Sequence, residues 1–115
     1  MTVTIWHNPR CSKSRQTLAL LRERGVEPEI VEYLKTPPAA DELESVLDKL
    51  GMEPRDLMRR KEAAYREAGL DDPELGRRAL VEAMSAHPVL IERPVVLVGG
   101  KAALGRPPEN VLALL

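Results

Sequence analysis

The chain has 115 residues, with 17 Lys or Arg against 18 Asp or Glu and a formal net charge of −1. That balance gives no overall field to draw nucleic acid or an anionic membrane, and one Trp, two Tyr and no Phe leave few faces on which bases could stack. A single cysteine excludes an intramolecular disulfide; with no apolar run near the ~20 residues of a membrane span and no signal-peptide pattern, the expectation is a cytoplasmic monomer.

One domain over 1–115 is expected at this length. Val3–Trp6 is rich in β-branched residues and reads as a short strand. Asn8-Pro9 breaks it, because proline cannot donate to a ladder. A helix-type run follows from Gln16 to Arg24, carrying Leu18, Leu20 and Leu21 and stopping near Gly25. Val26 to Tyr33 reads as a second, half-buried strand, clearest over Glu29–Tyr33. Strand, helix and strand at this spacing predict a βαβ unit with parallel strands.

Thr36-Pro37-Pro38 punctuates the chain, and Asp41-Glu42 sit in the first turn of a new helix. Leu43, Val46, Leu47 and Leu50 form its apolar face, and Gly51 ends it. Pro54–Arg60 reads as a short helix with Leu57 and Met58 inward, and Glu62–Gly69 as a further turn of helix. Pro73-Glu74 starts another, with Leu75, Ala79, Leu80, Ala83 and Met84 on one side and His87-Pro88 as its stop. Val95–Val98 is the most strand-like stretch; Gly99-Gly100 is a two-residue hairpin signal and Lys101–Leu104 the return strand. Gly105-Arg106-Pro107-Pro108 closes the hairpin, and a last short helix runs from Pro108 to Leu115. The order predicts one mixed four-stranded sheet of thioredoxin-like α/β plan, with a helical insertion at about 39–88.

The only cysteine, Cys11, stands between the first strand and the first helix, among His7, Arg10, Lys13, Ser14 and Arg15. Thiolate is the nucleophilic form, and a helix start favours it through free N–H groups and the dipole. The dipole contributes about 0.3–1 kcal/mol, up to ~2; at roughly 1.36 kcal/mol per pKa unit it moves a free thiol by about one unit. Further help must come from Arg10, Lys13, Arg15, a protonated His7, a Ser14 hydroxyl bond or distant arginines. A protein-phosphatase loop needs Cys-x5-Arg, but Thr17 occupies that arginine position. His7 and Cys11 make only one pair of ligands and His87 reads as a helix end, so no metal site is expected.

His7, Asn8, Pro9, Cys11, Ser14 and Arg15 match a His-Asn-Pro-x-Cys-x-x-Ser-Arg motif. With Tyr33-Leu34…Pro37-Pro38, His87-Pro88, Arg93-Pro94 and Gly105-Arg106-Pro107, the chain resembles the glutaredoxin-dependent arsenate reductase family nearly end to end. Ser12-Lys13 stands where arsenate-reducing members usually have Gly then Thr or Ser, a form that resembles an arsenate-reductase-like branch. The resemblance implies Cys11 as the nucleophile, Arg59, Arg93 and Arg106 as the oxyanion-binding arginines, and a cis Pro94 facing the thiol. Arg60 competes with Arg59 for the first of these arginines, and His7, Ser14 and Arg15 are candidates for tuning the thiolate. It also implies no bound cofactor, glutathione as co-substrate and glutaredoxin as partner, because no second cysteine can resolve Cys11. Two other readings are an interaction module of the RNA-polymerase-binding type, disfavoured by Ser14 in place of a second cysteine, and a glutathione-mixed-disulfide oxidoreductase.

Overall fold

A computed structural model describes residues 2–115. They fall into two compact units: the residues up to Thr36 together with Arg93–Leu115, and Pro37–Glu92.

The first unit holds the sheet. Its strands are β1 (Val3–Trp6), β2 (Glu29–Val31), β3 (Val95–Val98) and β4 (Lys101–Leu104), in the order β2-β1-β3-β4. β1 pairs parallel to β2, with Ile5 opposite Ile30, and antiparallel to β3, with Ile5 opposite Val96. Helix α1 (Ser12–Glu23) supplies the crossover that parallel strands require. Val3, Ile5, Leu21, Val96, Val98 and Val111 form the core, with Leu18, Val26, Ala103 and Leu114 packed against it. β-branched residues on β1 and β3 meet one face of α1 and the C-terminal 3₁₀ helix Pro108–Leu114. Gly99, at φ 58°, makes the β3–β4 turn that its dipeptide predicts.

Two predicted boundaries shift here. α1 begins at Ser12 rather than Gln16, so Cys11 is its N-cap residue. β2 stops at Val31 because Glu32 turns the chain: its carbonyl accepts the N–H groups of Lys35 at 2.9 Å and Thr36 at 3.0 Å. β2 is also more exposed than its alternation suggests, with Ile30 on the surface and Tyr33 as the buried residue beyond its end.

The second unit is helical. α2 (Ala40–Leu50) buries Leu43, Val46 and Leu47 and ends on left-handed Gly51. The segment expected as a helix over Pro54–Arg60 is instead a 3₁₀ turn, Pro54–Leu57, after which Met58 pairs with Ile91 as an isolated bridge. Met58 N–H still closes the 3₁₀ turn on Arg55 O at 3.3 Å, but Met58 itself is extended (φ −91°, ψ 142°), and Arg59 N–H donates to Leu90 O instead of continuing the helix. Leu57 and Met58 do point inward. α3 is Ala63–Glu67. α4 runs from Arg77 to Ala86, four residues later than Pro73 predicts, because Asp72 Oδ1 accepts the Glu74 N–H at 2.9 Å and builds a turn first. Leu80, Val81 and Met84 are its buried residues, while Ala79 is exposed. Among the described residues no helix is long and apolar enough to cross a membrane.

Candidate active site

The loop after β1 is tied at both ends. His7 N–H donates to Val31 O at 2.8 Å, carrying the parallel pairing one residue past the strand. Asn8 then folds the chain back: its Oδ1 accepts Arg10 N–H and its carbonyl accepts Cys11 N–H, each at 3.0 Å. Arg15 Nη1 donates to Pro9 O at 2.9 Å, clasping the loop from the first turn of α1.

This geometry delivers Cys11 in extended conformation (φ −94°, ψ 124°) at the point where the first helical N–H groups lack intrahelical partners. Cys11 makes no conventional side-chain cap; its sulfur lies in the field of the Ser14 and Lys13 N–H groups and the Arg93 guanidinium. Burial pushes the thiol up, but the Ser14 N–H, Arg93 and the Lys13 N–H together outweigh it and hold the group below the ordinary thiol range. Cys11 is buried, with 9% of its surface exposed. Of the possible sources of help beyond the dipole, the distant Arg93 is the side chain that acts.

His7 and Ser14 form a buried pair under the loop. Ser14 is fully buried, and its Oγ lies 2.6 Å from His7 Nδ1 and accepts the Asn8 N–H at 3.0 Å. Burial lowers the His7 pKa; Glu32 acts in the opposite direction, and Arg22 and Arg15 add to the lowering. His7 is therefore a neutral hydrogen-bonding group at neutral pH rather than an imidazolium beside the thiol. Ser14→Ala leaves both partners of the hydroxyl unpaired in a buried place, so chemical denaturation should show a loss of about 1–3 kcal/mol. The lowered His7 pKa also has a signed consequence. The unfolded chain takes up this proton first as pH falls, so the His7 contribution to stability is full above the free value of 6.5 and is lost as pH drops toward the lower folded value. His7→Gln should flatten that part of the stability–pH curve.

Arg93 and Arg106 come from the other end of the sequence. Each precedes a cis proline, Pro94 and Pro107; the resemblance implied the first and the sequence reading did not reach the second. Gly105 N–H donates to Pro94 O at 2.9 Å, and Arg106 Nη1 donates to Arg93 O at 3.2 Å. Arg93 Nε and Nη1 are buried and find no acceptor among the described residues. Unpaired donors on a fixed positive charge suit an oxyanion, with Nε and Nη1 facing different edges of the guanidinium. Cys11, Arg93 and Arg106 thus share the first unit, with His7, Ser14 and Arg15 behind the loop.

Arg59 and Arg60 belong to the second unit. Arg59 Nη1 pairs with Glu62, while Arg60 Nε donates to Arg55 O at 3.1 Å and its Nη2 lies 3.6 Å from Asp56. Among the described residues no three His, Cys, Asp or Glu side chains group to hold a metal ion.

Residues 6–114 match the sequence profile of the ArsC family. The chain belongs to the ArsC family. An arsenate reductase of Neisseria meningitidis (serogroup A) is 54% identical over 114 residues, spanning 98% of this chain and 97% of the relative. An uncharacterized protein of Escherichia coli K12 is 55% identical over 114 residues, spanning 98% of this chain and 96% of the relative. The solved structure of an arsenate reductase from Vibrio cholerae superposes with a TM-score of 0.97 at 51% identity, over 100% of this chain and 98% of the other. The fold is thioredoxin-like α/β, as for the ArsC neighbours.

Thr17 and Gly105 pack together beside this site. Thr17 is fully buried in α1, and a Cβ added to Gly105 would lie 2.7 Å from Pro94 Cγ and closer still to Thr17 Oγ1. Thr17 is a polar residue on the buried side of α1, three residues after Ser14.

Proposed function

We propose that this chain reduces arsenate to arsenite through Cys11, with glutathione and glutaredoxin as the source of electrons. The observation that carries the reading is a thiol held below its ordinary pKa beside a guanidinium with two buried, unclaimed donors. Similarity over the full chain to arsenate reductases supports the choice of oxyanion.

The Cys11 thiolate attacks arsenic(V), forming a sulfur–arsenic bond as an arsenate oxygen leaves as water. The Ser14 and Lys13 N–H groups, Arg93 and Arg106 carry the negative charge of the oxyanion as the bond forms. Glutathione thiolate then attacks the Cys11 sulfur; the sulfur–arsenic bond breaks, its electron pair stays on arsenic, and arsenite departs. The product is a Cys11–glutathione disulfide. With one cysteine in the chain, no internal thiol can reduce it, and a glutaredoxin thiol takes the glutathionyl sulfur and returns Cys11 as thiolate. For a third oxyanion arginine the resemblance favours Arg59, whose Nη1 pairs with Glu62, over Arg60, which bonds Arg55 O and lies near Asp56. The site uses no resident cofactor, and the protein works as a cytoplasmic monomer.

The test is NADPH oxidation coupled through glutathione reductase, glutathione and glutaredoxin. Arsenate should sustain turnover only when all components are present. Omitting glutaredoxin should leave the protein as a Cys11–glutathione adduct visible by intact mass. Turnover on a glutathionylated substrate with none on arsenate would transfer the site to mixed-disulfide reduction. Capture of RNA polymerase subunits by a protein without turnover would favour the interaction module.

A further inference from the structure

We propose that Thr17 is a positioning residue for the Cys11 site, setting the segment that bears Arg93 and Arg106 against the helix that bears the thiol.

Three observations meet at this side chain. Thr17 Oγ1 donates to Lys13 O at 2.8 Å within α1 and lies 3.5 Å from Gly105 O, across 88 residues of sequence. The hydroxyl has a single hydrogen, so the short bond to Lys13 fixes the rotamer and turns oxygen and methyl toward Gly105. Gly105 has no room for a Cβ, because Thr17 stands on one side and Pro94 on the other.

Gly105 is the residue through which both arginines are placed. Its N–H holds Pro94 O, its neighbour Arg106 holds Arg93 O, and Arg93 reaches the thiol. Thr17 is therefore a spacer between α1 and the Pro94–Gly105 rung. A missing spacer lets that rung settle toward the helix, and the Arg93 fork shifts relative to the sulfur. A shift of a few tenths of an ångström matters because a charge-assisted interaction depends steeply on distance and angle. Fully buried threonine also contributes to stability in the ordinary way, so the two roles need separate readouts.

The experiment follows the rate of Cys11 alkylation by iodoacetamide against pH in wild type, Thr17→Ala, Thr17→Ser and Thr17→Val, with Tm measured on each. The assay needs no arsenate, so its outcome is distinct from that of the proposed reductase activity. Thr17→Ala should raise the thiol pKa by at least about half a unit, cutting alkylation about threefold at pH values well below the thiol pKa. In the coupled assay it should raise KM for arsenate more than it lowers kcat. Thr17→Ser keeps the anchoring hydroxyl and should stay closer to wild type than Thr17→Ala in both readouts. Thr17→Val keeps the bulk and serves where Thr17→Ala fails to fold; it loses the hydroxyl bond to Lys13 O, and the Cys11 pKa should also rise. Folded variants with a lowered Tm and a wild-type alkylation profile would overturn the proposal, leaving Thr17 as core packing.

Discussion

Arg93→Ala should leave a folded protein whose Cys11 titrates at higher pH and whose kcat/KM for arsenate falls about 10- to 150-fold, the loss equivalent to about 1.5–3 kcal/mol for one hydrogen bond to a charged group. Arg93 is the side chain that opposes the burial of the thiol, so removing it leaves the desolvation effect and only the amide dipoles to counter it. The sign is fixed by the direction of the shift. A thiol held low carries more thiolate at a given pH than a free one, and activity falls as pH drops through the lowered pKa; in Arg93→Ala the acid limb of the profile moves to higher pH. Arg93→Lys restores the charge without the fork. It should recover part of the pKa shift and little of the oxyanion affinity, because lysine cannot present two coplanar donors. Stability should change little or rise, since two buried donors without acceptors disappear with the guanidinium.

Cys11→Ser should abolish glutathione-dependent arsenate reduction to the detection limit of the coupled assay while the fold is retained. Serine keeps the size and the N-cap geometry and is a preferred capping residue, so the variant should be at least as stable as the wild type. Its hydroxyl remains protonated at neutral pH and no base stands ready to activate it, because the His7 Nδ1 is occupied by Ser14. Serine also cannot form the mixed disulfide through which glutathione returns electrons. Retained turnover in Cys11→Ser would remove the thiol from the reaction, since the chain has no other cysteine to replace it.

The sheet was legible because its signals are local. Val3–Trp6 and Val95–Val98 are runs of β-branched residues, and Gly99-Gly100 fixes the hairpin between neighbours in sequence. Boundaries failed where a non-local or side-chain bond competes with the pattern. The apolar pair Leu57-Met58 fits a helix face, but Met58 is claimed by Ile91, and nothing in the spacing of residues 54–60 records that bridge. Pro73-Glu74 has the form of a helix start, yet Asp72 caps a turn there and the helix waits for Gly76. The loop was legible as chemistry, since a lone thiol with basic neighbours at a strand–helix junction needs no partner to be noticed. The residue that lowers its pKa was not, because Arg93 lies 82 positions away and only the family resemblance singled it out. His7 shows the same limit. Proximity suggested an imidazolium acting on the thiol, whereas burial makes it a neutral partner of Ser14.

The most direct measurement is the pKa of Cys11 in the unmodified protein, read from thiolate absorbance in the ultraviolet or from the pH dependence of alkylation. The mechanism predicts a value below the roughly 8.5 of a free thiol, and so a larger thiolate fraction at neutral pH than a free thiol has. A value at or above that of a free thiol would mean that burial wins over Arg93 and the helix amides, and that the sulfur does not wait as a nucleophile.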